Sequence, residues 1–374
     1  MSKSKATKPL AQKISSSFSE KIRRPRQAPR SRAKTETEPA PPRDFLRLVT
    51  FNIEHGTPQA GWSDPDVGSL KLPWNDKELG VYWLTRGLAQ LLGPRSLSAR
   101  AAVAKKALED TARIIRKLNP DVVCLQEVDK GQRRSGYIPQ AEFLSEALGM
   151  PYWRMAAAWA GPAYTVHRRP LHAHITRENG YGLAMMSRWP VKSWHFKRLG
   201  KARPRLRWGR GTWTGFSKGL LAGLRSLPQA IAGVKLVFGQ MRVLQAARVL
   251  TPFGTVAIGN IHLETHRGVA QSQLRRSWRS VFDLNHDNCV LVGDFNLRED
   301  TSTEALQLLD EAMLPEIHGL VASYPSEKAW IPLDQLLARG WTFAAEPRTI
   351  RMPISDHLAV VYDLKQISSR KSNG

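Results

Sequence analysis

Apolar residues recur along this chain with two periods, and the switches between them mark out its elements. From Phe45 the stretch "FLRLVTFNIEHG" alternates apolar and polar positions and then breaks at His55-Gly56, the pattern of a strand running into a loop. In "AVAKKALEDTARIIRKL", Ala104, Leu108, Ile115 and Leu118 fall on one stripe at helical spacing, and Asn119-Pro120 stops the run. "DVVCLQEV" follows as a buried strand. A helix at about 140–148 closed by Gly149, a strand in "GLAMMSRWP", paired strands across "MRVLQAARVLTPFGTVAIGNIHLE" and a helix at about 268–284 come next. The run "CVLVGDFNL", a helix at about 303–312, the short run "IPLDQLLARG" and a terminal strand "HLAVVYDLK" complete the order. Many strands with occasional helices predict stacked sheets flanked by helices, an α/β sandwich.

Two spans break this texture and are expected as insertions. Residues 57–100 are loop-like and carry Trp62, Trp74 and Trp83. Residues 192–240 combine a basic run containing Trp208 and Trp213 with an amphipathic stretch, 216–238, whose apolar residues recur every three or four positions. A folded unit over 44–366 is expected, with a disordered tail at 1–43 and a short one at 367–374.

Charge adds a partner class. The chain has 374 residues and a formal net charge of +24, which attracts polyanions such as nucleic acid or an anionic membrane surface. The tail holds twelve Lys or Arg against three Glu, so about +15 remains on the rest. Cys124 and Cys289 each sit inside an apolar run and read as buried strand residues, not as a disulfide or metal ligands. No apolar stretch is long enough for a membrane span and no secretory signal is visible, so a cytoplasmic location is expected.

The polar residues that close the apolar runs carry the candidate chemistry. "VTFNIE" ends with Asn52 and Glu54, "VCLQEVD" holds Glu127, and "IGNIHLE" holds Asn260 and His262. "VGDFNL" holds Asp294 and Asn296, and "ISDHLAVV" holds Asp356 and His357. Strand ends are where a rigid scaffold presents polar groups to a shared cleft. Oxygen donors without cysteine favour a hard cation, Mg2+ or Mn2+.

In this order, "LVTFNI", "CLQEV", "GYGLAMMSRWP", "IGNIHLE", "VGDFNL" and "SDHLAVV" resemble the endonuclease/exonuclease/phosphatase superfamily over about residues 46–364. That superfamily includes deoxyribonuclease I-like nucleases, abasic-site endonucleases, neutral sphingomyelinases and inositol polyphosphate phosphatases. The resemblance implies a four-layer α/β/β/α sandwich of two mainly antiparallel sheets flanked by helices, with the active site at one rim. It implies Glu127 as main metal ligand with Asn52 and Glu54 nearby, Asp356 completing the acidic cluster, and Mg2+ or Mn2+ as the ion. Asp294 and Asn296 would position or deprotonate the attacking water, and His357 would contact the scissile phosphate. Asp334, in "PLDQLL", resembles the aspartate that orients this final histidine. His262 resembles the histidine of the nuclease, sphingomyelinase and phosphatase branches and would be a second acid or phosphate ligand, with Glu178 as its expected partner. One departure is Gly182-Leu183-Ala184, where many relatives have Gly-Asn-Ala; Asn179 is the expected spatial substitute.

A phosphodiester repels hydroxide, so its hydrolysis needs a cation at the phosphoryl oxygens, a base for water and a charged group by the leaving oxygen. The resulting expectation is a divalent-metal-dependent phosphodiesterase acting on nucleic acid, as a monomer. The amphipathic 216–238 keeps open a phospholipid or small phosphoester hydrolase docking on anionic membranes. A catalytically inactive polyanion-binding module is the alternative from another class.

Overall fold

Two strand–helix–strand crossovers set the architecture and bring four strand ends to one rim. The computed structural model describes residues 43–59, 63–64, 68–69, 95–163, 168–174, 178–208, 234–237 and 239–367, and of 63–64, 68–69, 95–100, 205–208 and 234–237 the backbone alone. All of the expected 1–43 tail but Arg43, all of the 367–374 tail but its first residue, most of 57–100, Trp213 and nearly all of 216–238 lie outside the described residues.

In the first crossover, β1 (Leu46–Asn52) leads through α1 (Arg95–Leu118) to β2 (Val122–Lys130), which pairs with β1 in parallel so that Asn52 lies level with Gln126. After α2 (Gln140–Leu148), β3 (Tyr152–Ala160) and β4 (Gly180–Ser187) add antiparallel strands beside β2. The chain then enters a second sheet through β5 (Val191–Gly200), β6 (Arg242–Thr251) and β7 (Gly254–His262). In the second crossover α3 (Arg267–Phe282) links β7 to a parallel β8 (Cys289–Asp294), placing His262 level with Asp294. Parallel neighbours end on the same side, so each crossover delivers two C-terminal ends to one edge.

Beyond β8 come α4 (Glu299–Leu306), β9 (Ile317–Gly319), β10 (Asp334–Arg339), β11 (Trp341–Ile350) and β12 (Ala359–Gln366). The sheets run β11-β12-β1-β2-β4-β3 and β9-β10-β8-β7-β6-β5. Each six-stranded sheet holds one parallel pair among antiparallel ones.

Strand alternation sorts the core into three layers. Leu46, Leu48, Cys124, Ile258, Val290, Val292, Leu336 and Val360 meet between the sheets. Val49, Phe51, Val123 and Leu125 face the other way onto Leu108, Ile115 and Leu144 of α1 and α2. Leu291, Ala257 and Phe295 pack on Leu274, Trp278 and Ala305 of α3 and α4. The α/β/β/α order follows from these three contacts.

Sequence and structure differ at several elements. Val191–Gly200, inside the span expected as an insertion, is an edge strand of the second sheet. The helix expected at 303–312 is Glu299–Leu306, followed by a separate 3-10 turn at Glu311–Met313. It starts early because Arg298, still extended, caps it directly after the strand, and Glu299 and Asp300 suit the positive end of the helix dipole. Strands β3 and β11 were not expected: β3 is alanine-rich, and β11 is a mostly solvent-facing edge strand without clean alternation. The strand β8 runs through Gly293 to Asp294, and at φ 142° a Cβ on residue 293 would lie 2.0 Å from the Ile261 carbonyl oxygen. Glycine at 293 lets β7 and β8 approach at the rim.

Candidate active site

At this rim the backbone leaves its usual conformations. Seven described non-glycine residues have positive φ, and Glu54, His55, Asn296 and Ser355 of the converging loops and Glu127 within β2 are among them. Strain of this kind persists where surrounding contacts hold it, and it gathers at functional sites. Glu127 shows what it achieves. The register between β2 and β4 shifts between Leu125 and Val128, a bulge that turns Glu127 out of the strand's alternation toward the rim.

Asp294 is the hub. Its side chain is 1% exposed, with Oδ1 accepting from the Asn296 amide at 2.9 Å and Oδ2 from Asn52 Nδ2 at 3.0 Å. His262 Nε2 and His357 Nε2 face the same Oδ2 at 3.4 and 3.9 Å. Burial raises the Asp294 pKa to about 6 against the pull of His357 and the two amide donors. Asn296 is held by its own Nδ2 donating to the Leu263 carbonyl at 3.1 Å.

His357 is organised from behind. Its Nδ1 lies 2.7 Å from Asp334 Oδ2, which also accepts from Ser323 Oγ at 2.6 Å. Burial pushes the His357 pKa down, but Asp334, Asp294 and Asp356 outweigh it and lift it to about 10. The imidazole is therefore cationic at neutral pH, with Nε2 aimed into the site and the Tyr324 ring 4.9 Å away. Asp356 lies at 4.0 Å from Nε2 and is 45% exposed.

His262 is the opposite case. Arg242 Nη1 lies 3.0 Å from His262 Nδ1. A guanidinium only donates, so Nδ1 carries the lone pair and the ring proton sits on Nε2, toward Asp294. Burial, Arg242, His357 and His55 all push the His262 pKa well below its ordinary value, so this ring is neutral. The pair of histidines thus faces one carboxylate with one charged ring and one uncharged ring.

Glu127 completes the set. Its carboxylate lies 3.2 Å from His55 Nε2 and 3.9 Å from His262 Nε2. Burial raises its pKa, opposed by the charges of Arg242, His357 and Arg134. Among the described residues, its ion-pair contacts within 4.0 Å are to histidines alone, and no three His, Cys, Asp or Glu converge to cage a metal. A half-compensated carboxylate beside the Asn52 amide suits Mg2+, which takes one or two protein oxygens and leaves its other positions to water and phosphate; it does not suit a closed structural zinc site.

The structure therefore brings together Asn52, Glu127, His262, Asp294, Asn296, Asp334, Asp356 and His357, with Glu54 adjacent through its amide to Asn52 Oδ1 at 3.1 Å. It does not pair Glu178 with His262: Glu178 lies 2.8 Å from Arg168 and accepts from the Leu171 amide at 3.0 Å. The Asn179 side chain packs at Gly131, beyond the end of β2, and no described contact ties it to the catalytic cluster. Asn260, at a strand end by sequence, is buried between the sheets with Gln126, donating to the Leu125 and Ala184 carbonyls. Sequence reasoning passed over His55, Arg242 and Ser323. The signal for Arg242 was a charged residue opening the very apolar strand "RVLQAARVL"; for His55 and Ser323, loop residues without periodicity, there was none.

A family model for the "Endonuclease/Exonuclease/phosphatase family" matches residues 49–357. Among solved structures, an endonuclease/exonuclease/phosphatase from Beutenbergia cavernae is similar at 18% identity over 87% of this chain and 72% of that one, with a TM-score of 0.47. One from Bacteroides vulgatus is similar at 12% identity over 86% and 99%, with a TM-score of 0.49. The D. rerio TDP2 complexed with a single strand DNA product is similar at 15% identity over 86% and 98%, with a TM-score of 0.42. Comparison with curated proteins finds no match.

Proposed function

The chain belongs to the endonuclease/exonuclease/phosphatase family, whose members hydrolyse phosphoesters, and we propose that it is a divalent-metal-dependent phosphodiesterase that cuts nucleic acid. The observation that carries this reading is the Asp294 carboxylate, flanked on one oxygen by a neutral and a cationic histidine and set across from Glu127. Above a pKa of about 6 it is ionised and can take a proton from water held by the Asn296 side. His357, cationic and backed by Asp334, stabilises charge on a phosphoryl oxygen. His262, with its proton on Nε2, can only donate toward that same region, which suits a phosphate ligand better than a proton shuttle.

Glu127 and Asn52 would hold the metal, with Asp356 at the exposed edge. When bound there, a divalent cation neutralises phosphoryl oxygens and lowers the pKa of water. Nucleic acid is favoured over smaller esters by the net charge of +24, which a polyphosphate strand neutralises and a small ester does not need.

The test is a substrate panel. Chelator-stripped protein is returned to Mg2+ or Mn2+ and incubated with single-stranded DNA, plasmid, RNA, and vesicles containing sphingomyelin or phosphoinositide. Cleavage of nucleic acid that chelator abolishes is the expected result. Turnover on vesicles alone would replace this substrate class.

A further inference from the structure

Beside the catalytic loop lies a cavity of about 590 Å³ that the reaction scheme leaves unused. Its walls are Arg298, Glu299 and Asp300 at the start of α4 and Trp330, Ile331 and Pro332 of the loop before β10. Trp330 is 62% exposed, behind only Leu171 and Leu308 among the exposed large apolar side chains of the described residues, and the Arg298 guanidinium stacks over its ring at 5.1 Å. An indole costs free energy in water, and a stacked guanidinium shields only one of its faces.

Two links tie this cavity to the chemistry. Arg298 follows Asn296 by two residues, and the Phe295 amide between Asp294 and Asn296 donates to the Leu333 carbonyl at 2.9 Å, next to Pro332. The Trp330 amide donates to the Tyr324 carbonyl at 3.0 Å, and the Tyr324 ring lies 4.9 Å from that of His357. The loop that carries Trp330 is therefore tied to the segments that carry Asp294 and His357.

We propose that Trp330 and Arg298 form a stacking seat for one nucleobase of the strand, next to the phosphate being cut. This rests on the nuclease reading and adds its substrate contact. The open face of the indole is planar and π-rich, as a base requires, and Arg298 backs its other face. Its rim carries carboxylates that repel phosphate but accept hydrogen bonds from base N–H groups: Glu299 and Asp300, with Glu304 already engaged by Arg267 at 2.5 Å. Phosphates belong on the Glu127 side and a base on the Trp330 side.

The experiment compares the full chain with Trp330→Ala and Trp330→Phe on a single-stranded oligonucleotide and on the same strand built from abasic tetrahydrofuran units. Trp330→Ala should raise KM on the base-bearing strand roughly tenfold with kcat little changed, Trp330→Phe should keep most of the affinity, and on the abasic strand all three proteins should agree. An unchanged KM, or an equal rise on both strands, overturns the seat. If the wild type cuts neither strand, the nuclease reading fails by itself, and titration with deoxyadenosine monophosphate decides the seat. Fluorescence quenching present in the wild type and absent in Trp330→Ala supports it; identical titrations overturn it.

Discussion

Arg242 Nη1 meets His262 Nδ1 at 3.0 Å, and this one contact assigns the ring its tautomer. The arginine is 5% exposed, and its Nε has no hydrogen-bond partner among the described residues. Replacing it with methionine removes the donor while keeping an apolar stem of similar length. His262 is then free to carry its proton on either nitrogen, and kcat should fall about tenfold to a hundredfold, in line with the loss of an orienting partner. Imidazole 15N shifts check the cause: Nδ1 of His262 should read as unprotonated in the wild type and as a mixture in the variant.

Asp334 orients His357 through a carboxylate, at 2.7 Å from Nδ1, and favours its charged form. Asp334→Asn keeps the shape but removes the charge that lifts the ring. It should lower kcat by about 10²–10⁴ with KM within a few-fold. Ser323→Ala, which removes the hydroxyl donating to Asp334 at 2.6 Å, should cost about tenfold at most and leave the His357 pKa raised.

Stability should depend on pH through Asp294. Its folded pKa, about 6, lies above the ordinary value of 3.8, so the folded state binds the proton more tightly than the unfolded chain does. That contribution is fully present below about 4 and is lost as pH rises through about 6. Asp294→Asn carries no ionising group, so relative to wild type it should gain on the order of 2 kcal/mol between pH 4 and pH 8. Urea denaturation in chelator at the two pH values measures the difference.

The two cysteines should be inert. Cys124 and Cys289 are both fully buried, and burial pushes both thiols up, that of Cys289 to about 12. A thiol reagent should label neither in native protein and both in denaturant, which mass spectrometry reads directly.

Much of the frame was legible because its signals are local. The stripe through Leu108 and Ile115 and the Gly149 stop located α1 and α2, and Gly149 takes φ 67° as a helix-ending glycine does. The apolar runs ending in Asn52, Glu127, His262 and Asp294 could be read as strand ends, but their convergence could not, because it depends on two parallel pairings between residues far apart in sequence. His55 and Ser323 reach the site through a 3-10 turn and an irregular loop, where hydrophobic period carries no information. Glu178 misled for a related reason: a place in sequence just before β4 says nothing about which partner its carboxylate meets, here Arg168 and the Leu171 amide.

In the proposed reaction Asp294, set between two histidines, prepares water for attack on a phosphodiester. This role is tested most directly by the initial rate of single-stranded DNA cleavage in Mg2+ for wild type and Asp294→Asn at pH 7.5, with matched thermal melts to show both are folded. The expected result is a loss of at least about a thousandfold in kcat in a variant that still melts cooperatively. A folded Asp294→Asn protein that cuts within tenfold of the wild-type rate would contradict it.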